Sequence, residues 1–167
     1  MHEVTLQRVE PHEASILSNL LELYCHDMSA YFPVTLGSDG RFGYSLERYF
    51  TEPQRFPYFI LVERKLAGFA LATRGSPASA DPEHLDVAEF FVLRSLRGRN
   101  VGERAAGLLW DQLPGRWLVR VACVNRPALA FWPRAIERYT GRPATSRKFT
   151  QNQIERDVFE FDSVIRG

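Results

Sequence analysis

The sequence predicts an α/β fold built on one mixed sheet, and three observations carry that prediction. Two apolar runs, Tyr58–Glu63 and Leu66–Thr73, are separated by little more than Arg64-Lys65, the spacing of an antiparallel hairpin. Strand and helix patterns then alternate from Leu85 to Tyr139, as a βαβ crossover requires. The chain has 167 residues, 45% apolar and 25% charged, so residues 1–167 read as a single domain able to bury its own core.

Taken in order, Val4, Leu6 and Val9 suggest an opening strand. Pro11 suits a helix start, and from His12 to Ser29 the residues Ile16, Leu17, Leu20, Leu21, Tyr24 and Met28 recur at helical spacing. A loop from Pro33 to Gly43 follows, then a short helix over Ser45–Phe50 that ends before Pro53. The hairpin comes next, with Arg64-Lys65 as its turn. Gly75–Glu83, rich in Ser, Pro, Asp and Ala, is a loop. Leu85–Leu93 is a strand, apolar on both faces near Phe90-Phe91-Val92, which indicates a central place in the sheet. Gly102–Leu113 is a helix stopped by Pro114-Gly115. Trp117–Val124 is a strand, and the βαβ crossover implies that it runs parallel to Leu85–Leu93. Pro127–Tyr139 is a helix with Pro in its first turn, and the last strands fall near Arg147–Thr150 and Asp157–Phe161.

Composition narrows the function classes. A net charge of +1 argues against nucleic-acid binding, which needs a strongly basic face. Cys25 and Cys123 stand far apart in apolar runs, so buried free thiols in a reducing compartment are expected. The opening MHEVTLQRVE has charges where a signal peptide needs an apolar stretch, and no apolar run reaches the ~18 residues of a membrane span. A cytoplasmic location without membrane attachment is therefore expected. His2, His12, His26 and His84 form no i, i+4 pair, so no metal site is expected.

The segment that carries chemistry runs from Glu89 to Glu103. A strand ends, a short loop turns, and a helix begins. The first N–H groups of a helix lack internal partners, and with the helix dipole they attract an anion. Gly98 and Gly102 permit a close backbone approach, Asn100 tolerates φ > 0, and Arg97, Arg99 and Arg104 add positive charge. The loop does not close on Gly-Lys-Ser/Thr, which argues against a nucleotide P-loop, and the GxGxxG spacing of a dinucleotide fingerprint is absent.

Here the sequence resembles the GNAT N-acetyltransferase superfamily. That family's CoA loop reads Arg/Gln-x-x-Gly-x-Gly/Ala, and this chain has Arg97-x-x-Asn100-x-Gly102 a few residues after Val92. A second family element, Asn-x-x-Ala-x-x-Phe-Tyr, is matched by Asn125-x-x-Ala128-x-x-Phe131-Trp132. The phrases Asp39–Tyr44, Glu89–Leu93, Pro114–Trp117 and Tyr139–Gly141 look more narrowly like an uncharacterised branch labelled predicted acetyltransferases.

The resemblance implies a GNAT-like domain with a mixed, mostly antiparallel sheet and a splayed parallel pair. It implies acetyl-CoA as cofactor. Its pantetheine arm would meet the backbone near Phe90, Phe91 and Val92, and its pyrophosphate would sit on the loop Arg97, Gly98, Arg99, Asn100, Val101 and Gly102. Asn125 would bond the arm or order the splay, Ala128 and Phe131 would shape the wall beside the cofactor, and Trp132 would also belong to the cofactor site. Trp132 departs from the family's Tyr, a common proton source for the leaving thiolate. An indole N–H is no practical acid. Tyr24, Tyr44 and Tyr139 are the remaining phenols.

An attacking ammonium must lose a proton, which a carboxylate with a raised pKa can accept. Glu89 on the apolar central strand is one candidate base, since a carboxylate there needs a partner or a task. Asp86 is another, matching a base in some family members, although on a regular strand it faces away from Glu89 and could be a solvated strand end. Only a bulge would upset that parity. Asp39, Arg41 and Tyr44 fall in a region that shapes the family's acceptor pocket; Asp39 would bind an amine and Arg41 a carboxylate. The expected activity is transfer of an acetyl group to a primary amine of a small molecule or peptide. A CoA-binding sensor without catalysis and an interaction domain that has lost its cofactor are the alternatives. Dimers are common in the family, which leaves homodimerisation open.

Overall fold

The computed structural model describes residues 2–163. Seven strands form one sheet: β1 (Val4–Arg8), β2 (Arg55–Val62), β3 (Lys65–Arg74), β4 (Leu85–Val92), β5 (Arg116–Ala122), β6 (Ser146–Gln151) and β7 (Ile154–Asp162). Their order is β1-β2-β3-β4-β5-β7-β6, which sets β4 in the centre as its two-sided apolar pattern requires. Only β4 and β5 run parallel; every other neighbouring pair is antiparallel. This is the mixed α/β sheet that the sequence predicts. Four α-helices flank it: α1 (Ala14–Met28), α2 (Glu47–Thr51), α3 (Val101–Gln112) and α4 (Arg126–Thr140).

Alternation along β3 shows how the core divides. Phe69 and Leu71 pack with Leu17, Leu21 and Tyr49 under α1 and α2. Ala70 and Ala72 face the other way, toward Trp110, Trp132 and Ile136 of α3 and α4. Period-two side chains of one strand thus feed two cores. The small Ala residues leave room for the large Trp110 and Trp117, both fully buried.

Several boundaries differ from expectation for local reasons. The hairpin turn is Glu63-Arg64, at φ 48° and 64°, and not Arg64-Lys65, because Lys65 already pairs with Val62. β2 begins at Arg55, three residues before Tyr58, and tolerates Pro57. The Pro57 carbonyl accepts from Val9 N–H, just beyond the last β1 residue, so the missing Pro N–H falls where β1 has ended. β5 stops at Ala122, where its pairing with β7 ends, and Val124 is 57% exposed. Cys123 therefore lies past the strand, and both free cysteines are partly exposed, not buried. α3 begins at Val101 after Asn100, and α4 begins at Arg126 after Asn125 and ends at Thr140, capped by Gly141 with φ 70°.

Candidate active site

The parallel pair holds together only at its start. Leu85 pairs with Trp117 and Asp86 with Leu118, and the register stops there. Beyond that point β4 and β5 splay, and a cavity of about 240 Å³ opens between Val87–Phe90 and Val119–Ala122. Tyr24, Met28 and Phe32 line it from the α1 side, and Asn125, Ala128 and Trp132 from the α4 side. It thus reaches both faces of the sheet.

A bulge decides which side chains enter. Leu71 pairs with Glu89 but Ala72 pairs with Val87, so Ala88 is an extra residue in β4. The extra residue resets the alternation, and Asp86 and Glu89 share the α1 face. This corrects the expectation that they point apart. Glu89 lines the cavity and accepts hydrogen bonds from Tyr24 Oη and, at 3.3 Å, from Tyr44 Oη. Burial pushes its carboxyl above the ordinary carboxylate range, against the hydrogen bond from Tyr24, the Arg120 charge and the bond from Tyr44. Burial and the neighbouring Glu89 charge also raise the Tyr24 and Tyr44 phenols, so neither releases a proton readily.

Asp86 is fully buried and is no solvated strand end. Arg120 grips it through Nε at 2.8 Å and Nη2 at 2.9 Å, and Ser76 Oγ adds a third bond. Its oxygens are already engaged, and Asp86 does not line the cavity. The fork geometry is the strong form of a carboxylate–guanidinium pair.

At the other end of β4 the backbone is turned by β3. Leu93 N–H donates to the Ala67 carbonyl at 2.8 Å, and the Phe91 carbonyl lies so close to Gly68 that a Cβ there would stand 1.9 Å from it. Alternation then turns the Phe90 and Val92 peptide groups to the opposite edge, the one facing the splay. The Val92 carbonyl is taken by Arg97 Nε at 2.8 Å. Asp27 at the end of α1 holds Arg97 Nη2 at 2.6 Å and Arg94 Nη2 at 2.7 Å. Burial works against the Asp27 charge, but the bonds and charges of Arg97 and Arg94 outweigh it and hold its carboxyl below the usual range. The Arg97 guanidinium is thus folded back onto the strand end.

Gly98 and Asn100 take φ 73° and 61°, which swings the chain into α3. Asn100 caps the helix without a side-chain hydrogen bond. The first helical donor with a backbone acceptor is Arg104 N–H, on the Asn100 carbonyl. Val101, Gly102 and Glu103 N–H therefore lie in the turn that has no internal acceptors. Arg99 is exposed, and Arg104 donates to the His2 carbonyl. Gly102 has a second reason to be small: a Cβ there would stand 3.1 Å from the Phe131 ring. That contact joins the two sequence motifs in space. Phe131 stacks on Phe90 at 6.2 Å between centroids, and Trp132 meets Phe90 edge-on at 5.1 Å. Asn125 Oδ1 caps α4 through Ala128 N–H at 3.2 Å, which leaves its NH₂ as a donor at the cavity.

Of the acceptor-side candidates, Tyr44 reaches Glu89, whereas Asp39 and Arg41 do not line the cavity. Asp39 Oδ1 accepts from Arg41 N–H, and Arg41 bonds Ser18 Oγ at 2.8 Å. Glu22 pins the loop by accepting from Phe42 and Gly43 N–H. Sequence reasoning missed Asp27, Arg120 and Arg156. Arg120 carried a signal, a lone guanidinium inside the apolar run Trp117–Ala122 that demands a buried partner. Asp27 and Arg156 carried none.

The comparisons with known proteins agree with this fold. A family model described as the acetyltransferase (GNAT) family matches residues 17–136. Among solved structures, the aminoglycoside acetyltransferase AAC(6')-Ib with coenzyme A superposes with a TM-score of 0.70 at 15% identity, over 96% of this chain and 95% of that one. An acetyltransferase from Thermus thermophilus gives 0.68 at 18% identity, over 97% and 99%. The GNAT domain of S. lividans PAT gives 0.63 at 16%, over 95% and 90%. At these identities the likeness is one of fold. No curated protein sequence matches this chain.

Proposed function

This chain belongs to the acetyltransferase (GNAT) family, and on that premise we propose that it transfers an acetyl group from acetyl-CoA to a primary amine by direct attack in a ternary complex. Neighbouring structures of AAC(6')-Ib hold kanamycin or ribostamycin together with coenzyme A, which supports a small-molecule amine as acceptor. The residues present suit the cofactor. The N–H groups opening α3 would take the pyrophosphate. Asn125 would bond the pantetheine arm in the splay, with Phe131 and Trp132 as its wall. Bound acetyl-CoA supplies the activated thioester.

The observation that carries the reading is Glu89, a carboxylate with a raised pKa on the bulge of the splayed strand, inside the cavity. A carboxylate so placed can take the proton that an ammonium must lose before its nitrogen attacks. Val92 N–H faces the splay while Phe91 N–H faces β3, so between these two neighbours Val92 N–H is the group able to polarise a thioester carbonyl there. Arg97 on the Val92 carbonyl fixes the following peptide group, between Val92 and Leu93. Asp86 serves by holding Arg120 and not as a base. The thiolate leaves without a protein acid, because Trp132 supplies none.

Glu89→Gln is expected to lower kcat by about 10²- to 10³-fold with little change in acetyl-CoA affinity. Steady-state thiol release and calorimetric titration measure the two. Unchanged turnover would remove Glu89 from the mechanism. A CoA-binding sensor is the second reading, favoured by the replacement of the family's Tyr with Trp132. Acetyl-CoA binding without thiol release on any amine would select it.

A further inference from the structure

Two guanidinium groups, Arg120 and Arg156, line the same cavity as Glu89. They lie on one face of the sheet: Arg120 pairs with Val158 across β5 and β7, and Arg156 stands two residues away opposite Ala122. The charge of Arg120 is answered by Asp86. That of Arg156 is not. Its Nη1 donates to the carbonyls of Gln151 at 3.0 Å and Ile154 at 3.1 Å, on either side of the Asn152-Gln153 turn. No carboxylate among the described residues forms an ion pair with it. The two carbonyl bonds fix the plane of the guanidinium. They leave its side-on fork of Nε and Nη2 without an acceptor among the described residues, and this is the edge with which Arg120 grips Asp86. Burial and the like charge of Arg120 both disfavour the Arg156 cation, the condition that an incoming anion relieves.

We propose that the acetyl acceptor is an amino acid-like molecule whose carboxylate binds in the fork of Arg156 while its amine lies at Glu89. A planar two-donor fork matches a carboxylate, and Arg156 lines the same cavity as Glu89 from the β7 side. The amine half of this assignment rests on the proposed transfer reaction; the carboxylate half rests on Arg156 alone.

Calorimetric titration of the CoA-loaded protein separates the two. The probes are β-alanine, 4-aminobutyrate, glutamate and lysine, each paired with its own carboxamide. The carboxylate of the best pair is expected to bind about tenfold tighter than its amide, the worth of a charge-assisted hydrogen-bonded pair. Arg156→Gln should bring the carboxylate down to the amide's affinity, and Arg156→Lys should restore part of the preference. Equal affinities in the unaltered protein, no binding of any probe, or a preference that survives Arg156→Gln would each overturn the proposal. The comparison within the unaltered protein decides the matter even if a variant fails to fold. Thiol release with the same probes reads transfer separately: a carboxylate preference in binding without thiol release would sink the transfer reaction and leave the Arg156 site standing.

Discussion

At Glu89, burial competes with two phenols and a guanidinium, and burial prevails. The sign of the consequence follows. The folded protein holds the Glu89 proton more firmly than the unfolded chain does, so folding carries no penalty below the unfolded value near ~4.3. The penalty grows as pH rises toward the folded pKa. Denaturant titrations across pH should therefore show Glu89→Gln gaining stability relative to the unaltered protein as pH rises through that window. The same carboxylate must be ionised to act as a base, so kcat should fall as pH drops through the raised pKa, and Glu89→Gln should lose that acid limb. Tyr24→Phe removes a bond that favours the ionised form. Its kcat profile should keep the acid limb but move it to higher pH.

Among the elements, the end of β4 is set by its neighbours on both sides. Gly68 of β3 allows the Phe91 carbonyl its close approach, so Gly68→Ala forces the two strands apart. A loss of about 3 kcal/mol or more is expected, at the upper end of overpacking effects, measured by urea denaturation. On the other side Asp27 of α1 clamps Arg94 and Arg97, and through Arg97 the Val92 carbonyl. Asp27→Asn should cost about 1–2 kcal/mol near neutral pH, since Arg94 is largely exposed and Arg97 about half exposed. Because the Asp27 pKa is depressed, that stability is present above the unfolded value and is lost as pH falls through the folded one. The difference between the two proteins should shrink accordingly in acid. Acetyl-CoA affinity should also weaken in Asp27→Asn, as the strand end loosens.

For the whole molecule, the splay is the feature from which the site is built. Two parallel strands that pair at only two positions leave unpaired backbone and a cavity between layers. A cofactor that fills the gap binds the native state alone. At about 100 times its Kd, CoA should add ~2.7 kcal/mol, or roughly 5–10 °C in Tm for a domain of this size. Scanning calorimetry with and without CoA tests this, and no shift would mean that the splay and the α3 terminus do not bind it. Among the described residues, no helix is long and apolar enough to cross a membrane.

By itself the sequence determined what depends on neighbours along the chain. Helical and strand periods located nearly every element. Asn100 marked a left-handed turn at the entry to α3, because a backbone turn is made by residues within a few positions of each other. The tertiary structure decided what depends on neighbours across the sheet. Whether Asp86 and Glu89 share a face turned on the extra Ala88, and that bulge is set by register against β3, which no count along β4 contains. Asp27 reaches Arg97 over 70 positions and Arg120 reaches Asp86 over 34, and only strand order brings such charges together. The turn that opens α3 was therefore legible in the sequence. The carboxylate of Glu89 and the guanidinium of Arg156 acquired their surroundings only when distant strands paired, because burial and unanswered charge are properties of packing and not of residue type.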